Sequence, residues 1–232
     1  MKEITKDLFV IQDEVLKANI YVLLAKNGYY LIDTGIFMKT RYLIEILTKN
    51  KFPLSDLKMI ILTHCHCDHI GGAAELVKYS GAKLAAHKND VPFILQQNVI
   101  EGTYHSMMLE EQKYMRQFNC VVNQIDCILE DGDIIDIFGG LQVINVPGHT
   151  PGSIALYQAD KKIMFFSDVI RNKQDRGLVI GIPEKFNVNT NQVHIDAKKL
   201  LSYSIEYALF GHGSAITKNA NYILNEALES IL

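Results

Sequence analysis

The chain has 232 residues, 48% hydrophobic and 21% charged, an ordinary globular balance with enough apolar material for a sizeable core. Lys+Arg 23 against Asp+Glu 26 give a formal net charge of -3, which excludes a general polyanion binder and removes nucleic acid from the expected partners. The longest apolar run, Ile20 to Ala25, falls far short of the roughly 20 residues that a bilayer-crossing helix needs, and the start MKEITKDLFV has no hydrophobic h-region. No membrane association and a cytoplasmic location are therefore expected, with the 4 cysteines as reduced thiols rather than a disulfide framework.

In chain order, strand-like runs at Leu8 to Ile11, Asn19 to Ala25 and Tyr29 to Ile32, with a turn at Asn27-Gly28, predict an antiparallel start. Between Lys39 and Asn50, Tyr42, Leu43, Ile46 and Leu47 recur at helical spacing, and Pro53 follows as a stop. Met59 to Leu62 fits a buried strand, and Gly71-Gly72 opens a helical segment, Ala73 to Tyr79, before a strand at Lys83 to Ala86. From Asp90 to about Cys120 the pattern turns to long helical side chains. Strands at Ile125 to Leu129, Leu141 to Val146, Ile154 to Gln158 and Ile163 to Phe166, separated by Asp131-Gly132, Gly139-Gly140 and Asp160-Lys161, predict a second antiparallel set. Thr190 is the expected cap of a helix with Val193, Ala197, Leu200 and Leu201 on one face. Ala220, Ile223, Leu224, Ala227, Leu228 and Ile231 mark the last helix. With no repeat or linker between them, two β-rich halves carrying helices suggest a single α/β (α+β) domain over residues 1–232, built as a four-layer αββα sandwich.

Three histidines and an aspartate crowd into His64-Cys65-His66-Cys67-Asp68-His69, directly after the apolar run Met59 to Leu62. If the segment leaves the strand extended, period two puts His64 and His66 on one side, able to share one metal, while Asp68 and His69 face a second after the chain turns. Imidazoles with a carboxylate suit Zn, with Fe or Mn as alternatives, and need no thiolate. Other strand ends supply three more candidates: His149 after Leu141 to Val146, Asp168 after Ile163 to Phe166, and His212 after Tyr207 to Phe210.

These motifs, Asp33-Thr34-Gly35, the histidine run, Pro147-Gly148-His149-Thr150-Pro151-Gly152, Phe166-Ser167-Asp168 and Gly211-His212-Gly213, stand in an order that resembles the metallo-β-lactamase superfamily. The resemblance implies that family's fold and two divalent metal ions. It puts His64, His66 and His149 on one metal, Asp68, His69 and His212 on the other, and Asp168 between them. Asp33 is expected to turn a ligand histidine by hydrogen bonding. Ser167 stands where many relatives have glycine, and Arg171, where lactonases of the acyl-homoserine lactone type have tyrosine, is a candidate contact for an anionic substrate group. Cys65 and Cys67 are expected to pack away from the ligands, and His87, His105 and His194 to be structural, pocket-lining or surface residues.

The reaction this implies is metal-assisted hydrolysis. A hydroxide held by the dinuclear site attacks, and Asp68 orients it and takes its proton. The expected partner is a small-molecule substrate with an ester-type bond, a thioester, lactone or related ester; a homodimer is left open. Two alternatives stay beside it, a persulfide-dioxygenase-like iron oxidoreductase and a phosphodiesterase.

Overall fold

A computed structural model describes residues 1–13, 15–173 and 177–229. They form two compact units, Met1–Ile100 with His105–Leu129, and Glu101–Tyr104 with Glu130–Leu232.

The first unit is built on a seven-stranded sheet: β1 (Lys2–Thr5), β2 (Leu8–Gln12), β3 (Asn19–Ala25), β4 (Gly28–Ile32), β5 (Leu57–Leu62), β6 (Lys83–His87) and β7 (Cys127–Leu129), lying in chain order. The first four pair antiparallel and the rest parallel. The switch follows from the connections: Asn27-Gly28 is a hairpin turn, whereas helical segments separate β4, β5 and β6. The helices are α1 (Thr40–Lys49), α2 (Cys67–Ile70), α3 (Ala73–Ser80), α4 (Val91–Ile94) and α5 (His105–Gln117). Strand β5 buries Ile60, Ile61 and Leu62 in succession, which fixes the rigid base from which the histidine run departs. α1 buries Leu43 and Leu47 but leaves Tyr42 exposed, and α3 lies against α1, β5 and β6. The stretch predicted as helical from Asp90 to about Cys120 holds two helices, α4 and α5, with non-helical chain between them. Of its apolar residues, Met108 and Met115 are buried, whereas Leu109, Tyr114 and Phe118 are exposed.

In the second unit a five-stranded sheet runs β14-β11-β10-β9-β8, formed by β8 (Ile134–Ile135), β9 (Leu141–Asn145), β10 (Ile154–Gln158), β11 (Ile163–Phe165) and β14 (Tyr207–Leu209). A separate hairpin pairs β12 (Ile170–Lys173) with β13 (Gly177–Ile180). Of the four strands predicted as a second antiparallel set, Ile125 to Leu129 instead supplies β7 of the first sheet, parallel to β6, while β9, β10 and β11 do pair antiparallel. β14 adds a parallel edge to β11, because the chain returns there through helix α6 (Thr190–Leu201). Val193, Ala197 and Leu200 of α6, and Ala220, Leu224 and Leu228 of α7 (Ala220–Leu228), share one core with Ile144, Ala155, Met164, Phe166 and Phe210. Ile223 is exposed, and Ile231 lies outside the described residues. Among the described residues no helix is long and apolar enough to cross a membrane.

The cap of α6 departs from expectation. Thr190 is the first helical residue, and the cap is Asn189, whose extended backbone lets its side chain accept from the Gln192 N–H at 3.1 Å. Asn189→Ala should lower stability by about 1 kcal/mol, read from the midpoint of chemical denaturation; an unchanged midpoint would show the cap contributes nothing.

Candidate metal centre

In the first unit the site begins at Asp33, just past β4, with a left-handed backbone at φ 62°. The Asp33 N–H donates to Ile61 O at 2.9 Å, so the turn stays tied to β5. Its buried carboxylate accepts three hydrogen bonds at 2.8 Å: from the Thr63 N–H, from the Thr63 hydroxyl, and from His69 Nδ1–H. The Thr63 hydroxyl spends its one proton on Asp33, so it accepts from His64 Nδ1–H at 3.0 Å. One carboxylate thus puts the proton of both rings on Nδ1, directly for His69 and through Thr63 for His64. Thr34 holds the same segment, its N–H and its hydroxyl each donating to His69 O at 2.8 Å.

His66 caps the short α2 with extended backbone, φ -71° and ψ 145°, and the turn begins at Cys67. The rings of His64, His66 and His69 gather, with the His64 centroid 4.8 Å from His66 and 4.0 Å from His69. Asp68, half-buried on the first turn of α2, has Oδ2 3.7 Å from His69 Nε2. Gly71 and Gly72 let this turn press on the β4 loop: a Cβ on Gly71 would strike Cys67 O and Phe37 N, and one on Gly72 would strike Thr34 O.

In the second unit His149 lies past β9 in a loop gripped from the start of α6. The Gly148 N–H donates to buried Asp196 at 2.8 Å, Asn189 N–H donates to Gly148 O at 2.9 Å, and Val188 N–H donates to His149 O at 3.1 Å. Burial raises the Asp196 pKa, and hydrogen bonds from Gln192 and Gly148 offset part of that rise. His149 Nδ1 meets Asn187 Oδ1 at 3.1 Å. Asp168 follows Ser167, whose φ of 52° keeps the left-handed turn that glycine would adopt freely. The Asp168 Oδ2 lies 3.4 Å from His212 Nε2. Gly211 has no room for a side chain, since a Cβ there would collide with the Asp168 carboxylate.

Two classes of distance decide what these donors do. The Nδ1 contacts of 2.8, 3.0 and 3.1 Å are hydrogen bonds. The Nε2-to-carboxylate separations of 3.7 and 3.4 Å are too long for that. They match the spacing of about 3.4 Å expected between two N or O donors that share one tetrahedral metal at about 2.1 Å. Rings held by Nδ1–H present Nε2 lone pairs, so the donor chemistry in each unit fits divalent metal ions.

The remaining candidates lie elsewhere. Cys65 is buried, and its N–H donates to Asp90 at 2.9 Å. Burial pushes the Cys65 and Cys67 thiols up, and the carboxylates of Asp90 and Glu111 add to the rise. Arg171 sits on β12 and donates through Nε to Gly181 O at 2.9 Å. His87 accepts from the Asn89 N–H through Nδ1, while His105 opens α5 and His194 lies on α6. Sequence reasoning missed Thr63, Asp90, Asn187 and Asp196. The latter two act on residues 38 and 48 positions away, so no spacing pattern links them to the histidines.

Gly211→Ala should leave a folded chain, seen by circular dichroism, that retains less metal than the natural protein by elemental analysis. Undiminished metal content would show that Asp168 tolerates displacement.

Comparison with known proteins bears on the same motifs. A 227-residue alignment to "Probable metallo-hydrolase YflN" of Bacillus subtilis is 25% identical and covers 90% of this chain and 86% of that protein. "Acyl-coenzyme A thioesterase MBLAC2" of Homo sapiens is 28% identical over 66% of this chain, and "Hydroxyacylglutathione hydrolase" of Shewanella baltica is 30% identical over 86% of it. The chain spans 58% and 64% of those two proteins. Among solved structures, the metallo-beta-lactamase family protein TTHA1429 from Thermus thermophilus superposes with a TM-score of 0.76 at 19% identity, covering 99% of this chain and 79% of that one. TTHA1623 in a di-iron-bound form superposes with a TM-score of 0.65 at 25% identity, covering 90% and 94%. These likenesses give the metallo-β-lactamase fold. The sequence profile of the Metallo-beta-lactamase superfamily matches residues 13–212, and by that match the chain belongs to the metallo-β-lactamase superfamily.

Proposed function

We propose that the chain is a metal-dependent hydrolase that cleaves a small ester-type substrate, a thioester, lactone or related ester. In this reading His64, His66 and His149 hold one divalent ion, Asp68, His69 and His212 hold a second, and Asp168 lies between them. The observation that carries it is the division of labour on the rings, with Nδ1 at hydrogen-bonding distance from Thr63, Asp33 and Asn187, and carboxylates spaced from Nε2 as co-ligands. The superfamily profile runs through both compact units, which supports one domain.

When bound, the metals supply an activated water as nucleophile and polarise the scissile carbonyl. The protein's own part is positional. Asp33, acting directly and through Thr63, aims two rings, and Asp68, half-buried beside His69, orients the attacking water and accepts its proton. The names of two relatives, an acyl-coenzyme A thioesterase and a hydroxyacylglutathione hydrolase, favour an acyl substrate over a phosphodiester. Zinc suits nitrogen and oxygen donors with no thiolate, and the di-iron-bound structure of TTHA1623 keeps iron as the alternative ion.

Three measurements test this reading. Elemental analysis should find close to two metals per chain, and one tightly bound metal would count against the dinuclear site. Asp168→Ala should lose metal and activity together; full activity would refute its shared role. Purified protein assayed against thioesters, lactones and phosphodiesters should turn over the first two classes, and activity confined to phosphodiesters would overturn the substrate class.

A further inference from the structure

The His149 loop shows a dependence that neither the superfamily motifs nor the proposed reaction assigns. The Asn187 side chain is buried, and its two ends are committed to different partners. Its Nδ2 donates to Ile182 O and to Thr190 Oγ1, both at 3.2 Å. A backbone carbonyl can only accept, so the contact with Ile182 fixes which way the amide faces. Oδ1 is thereby turned to His149 Nδ1 at 3.1 Å, and an amide oxygen in turn can only accept. The proton of the His149 ring is therefore held on Nδ1, and Nε2 is left with its lone pair. The next two residues continue the grip through backbone N–H groups, Val188 to His149 O and Asn189 to Gly148 O.

We propose that Asn187 is the positioning residue of His149, fixing both the tautomer and the ring angle that make Nε2 a metal donor. It does for the second unit what Asp33 does for the first, but with a neutral amide in place of a carboxylate. The inference rests on the metal site proposed above, and its test is chosen so that the two can fail separately.

Asn187→Leu removes the acceptor. Asn187→Asp keeps an acceptor facing Nδ1 while losing both donations, so the pair separates aiming the ring from merely bracing the loop. Ring ¹⁵N NMR of the metal-free proteins should show His149 with its proton on Nδ1 in the natural chain and in Asn187→Asp, and moved toward Nε2 in Asn187→Leu. Zinc affinity, measured by competition with a chelator, should fall by about 10- to 100-fold in Asn187→Leu and by much less in Asn187→Asp, with circular dichroism confirming the fold. Should the leucine variant fail to fold, Asn187→Ser replaces it, its hydroxyl being too short to reach the ring. An unchanged tautomer and zinc affinity in the variant lacking the acceptor would overturn the inference, as would an aspartate variant as impaired as the leucine one. If the natural chain binds neither zinc nor iron, the site reading fails, while the tautomer result still judges Asn187.

Discussion

A buried carboxylate at the end of β4 sets the geometry of the first unit's donors. Asp33 is removed from solvent, which is costly for a charge unless its lone pairs are used. Two of its three donors come from Thr63, the residue that links β5 to His64, and the third is His69. Satisfying this one group fixes where β5 ends, where α2 begins and which nitrogen each of two rings presents. The left-handed backbone at Asp33 aims the carboxylate, and Thr34 closes the arrangement by returning two hydrogen bonds to His69 O.

The second unit meets the same demand with different chemistry. Around His149 the acceptor is an amide, and the buried carboxylate, Asp196, serves the backbone of Gly148. The direction of its pKa shift shows the cost: burial works against the charge more than its hydrogen bonds restore. A group held this way braces a loop, whereas Asp33 touches the His69 ring itself.

How much of this was legible depended on the range of each interaction. Strand ends were readable because apolar runs such as Met59 to Leu62 stop abruptly where polar donors begin, and His64, His66, Asp68 and His69 share six consecutive positions. The first sheet's change from antiparallel to parallel was half visible, in the Asn27-Gly28 turn and in the helical spacing that follows β4. The β12–β13 hairpin was not, because Ile170-Arg171-Asn172-Lys173 carries one buried apolar residue and no alternation. The cap of α6 was misplaced by one residue, since Asn189 and Thr190 are both good caps and only backbone conformation separates them. Asn187 and Asp196 gave no signal at all, for their partners lie at contact distances that only folding creates.

The glycines around these loops carry a consequence for redesign. At 71, 72, 148 and 211 the space where a side chain would begin is already filled, by Phe37, Thr34, the backbone of Val193 and the Asp168 carboxylate respectively. The donors are thus held by the absence of atoms as much as by bonds, and the freedom to reshape the centre does not lie in the loops that carry it. It lies instead at exposed side chains outside those loops, such as Leu109 and Tyr114 on α5.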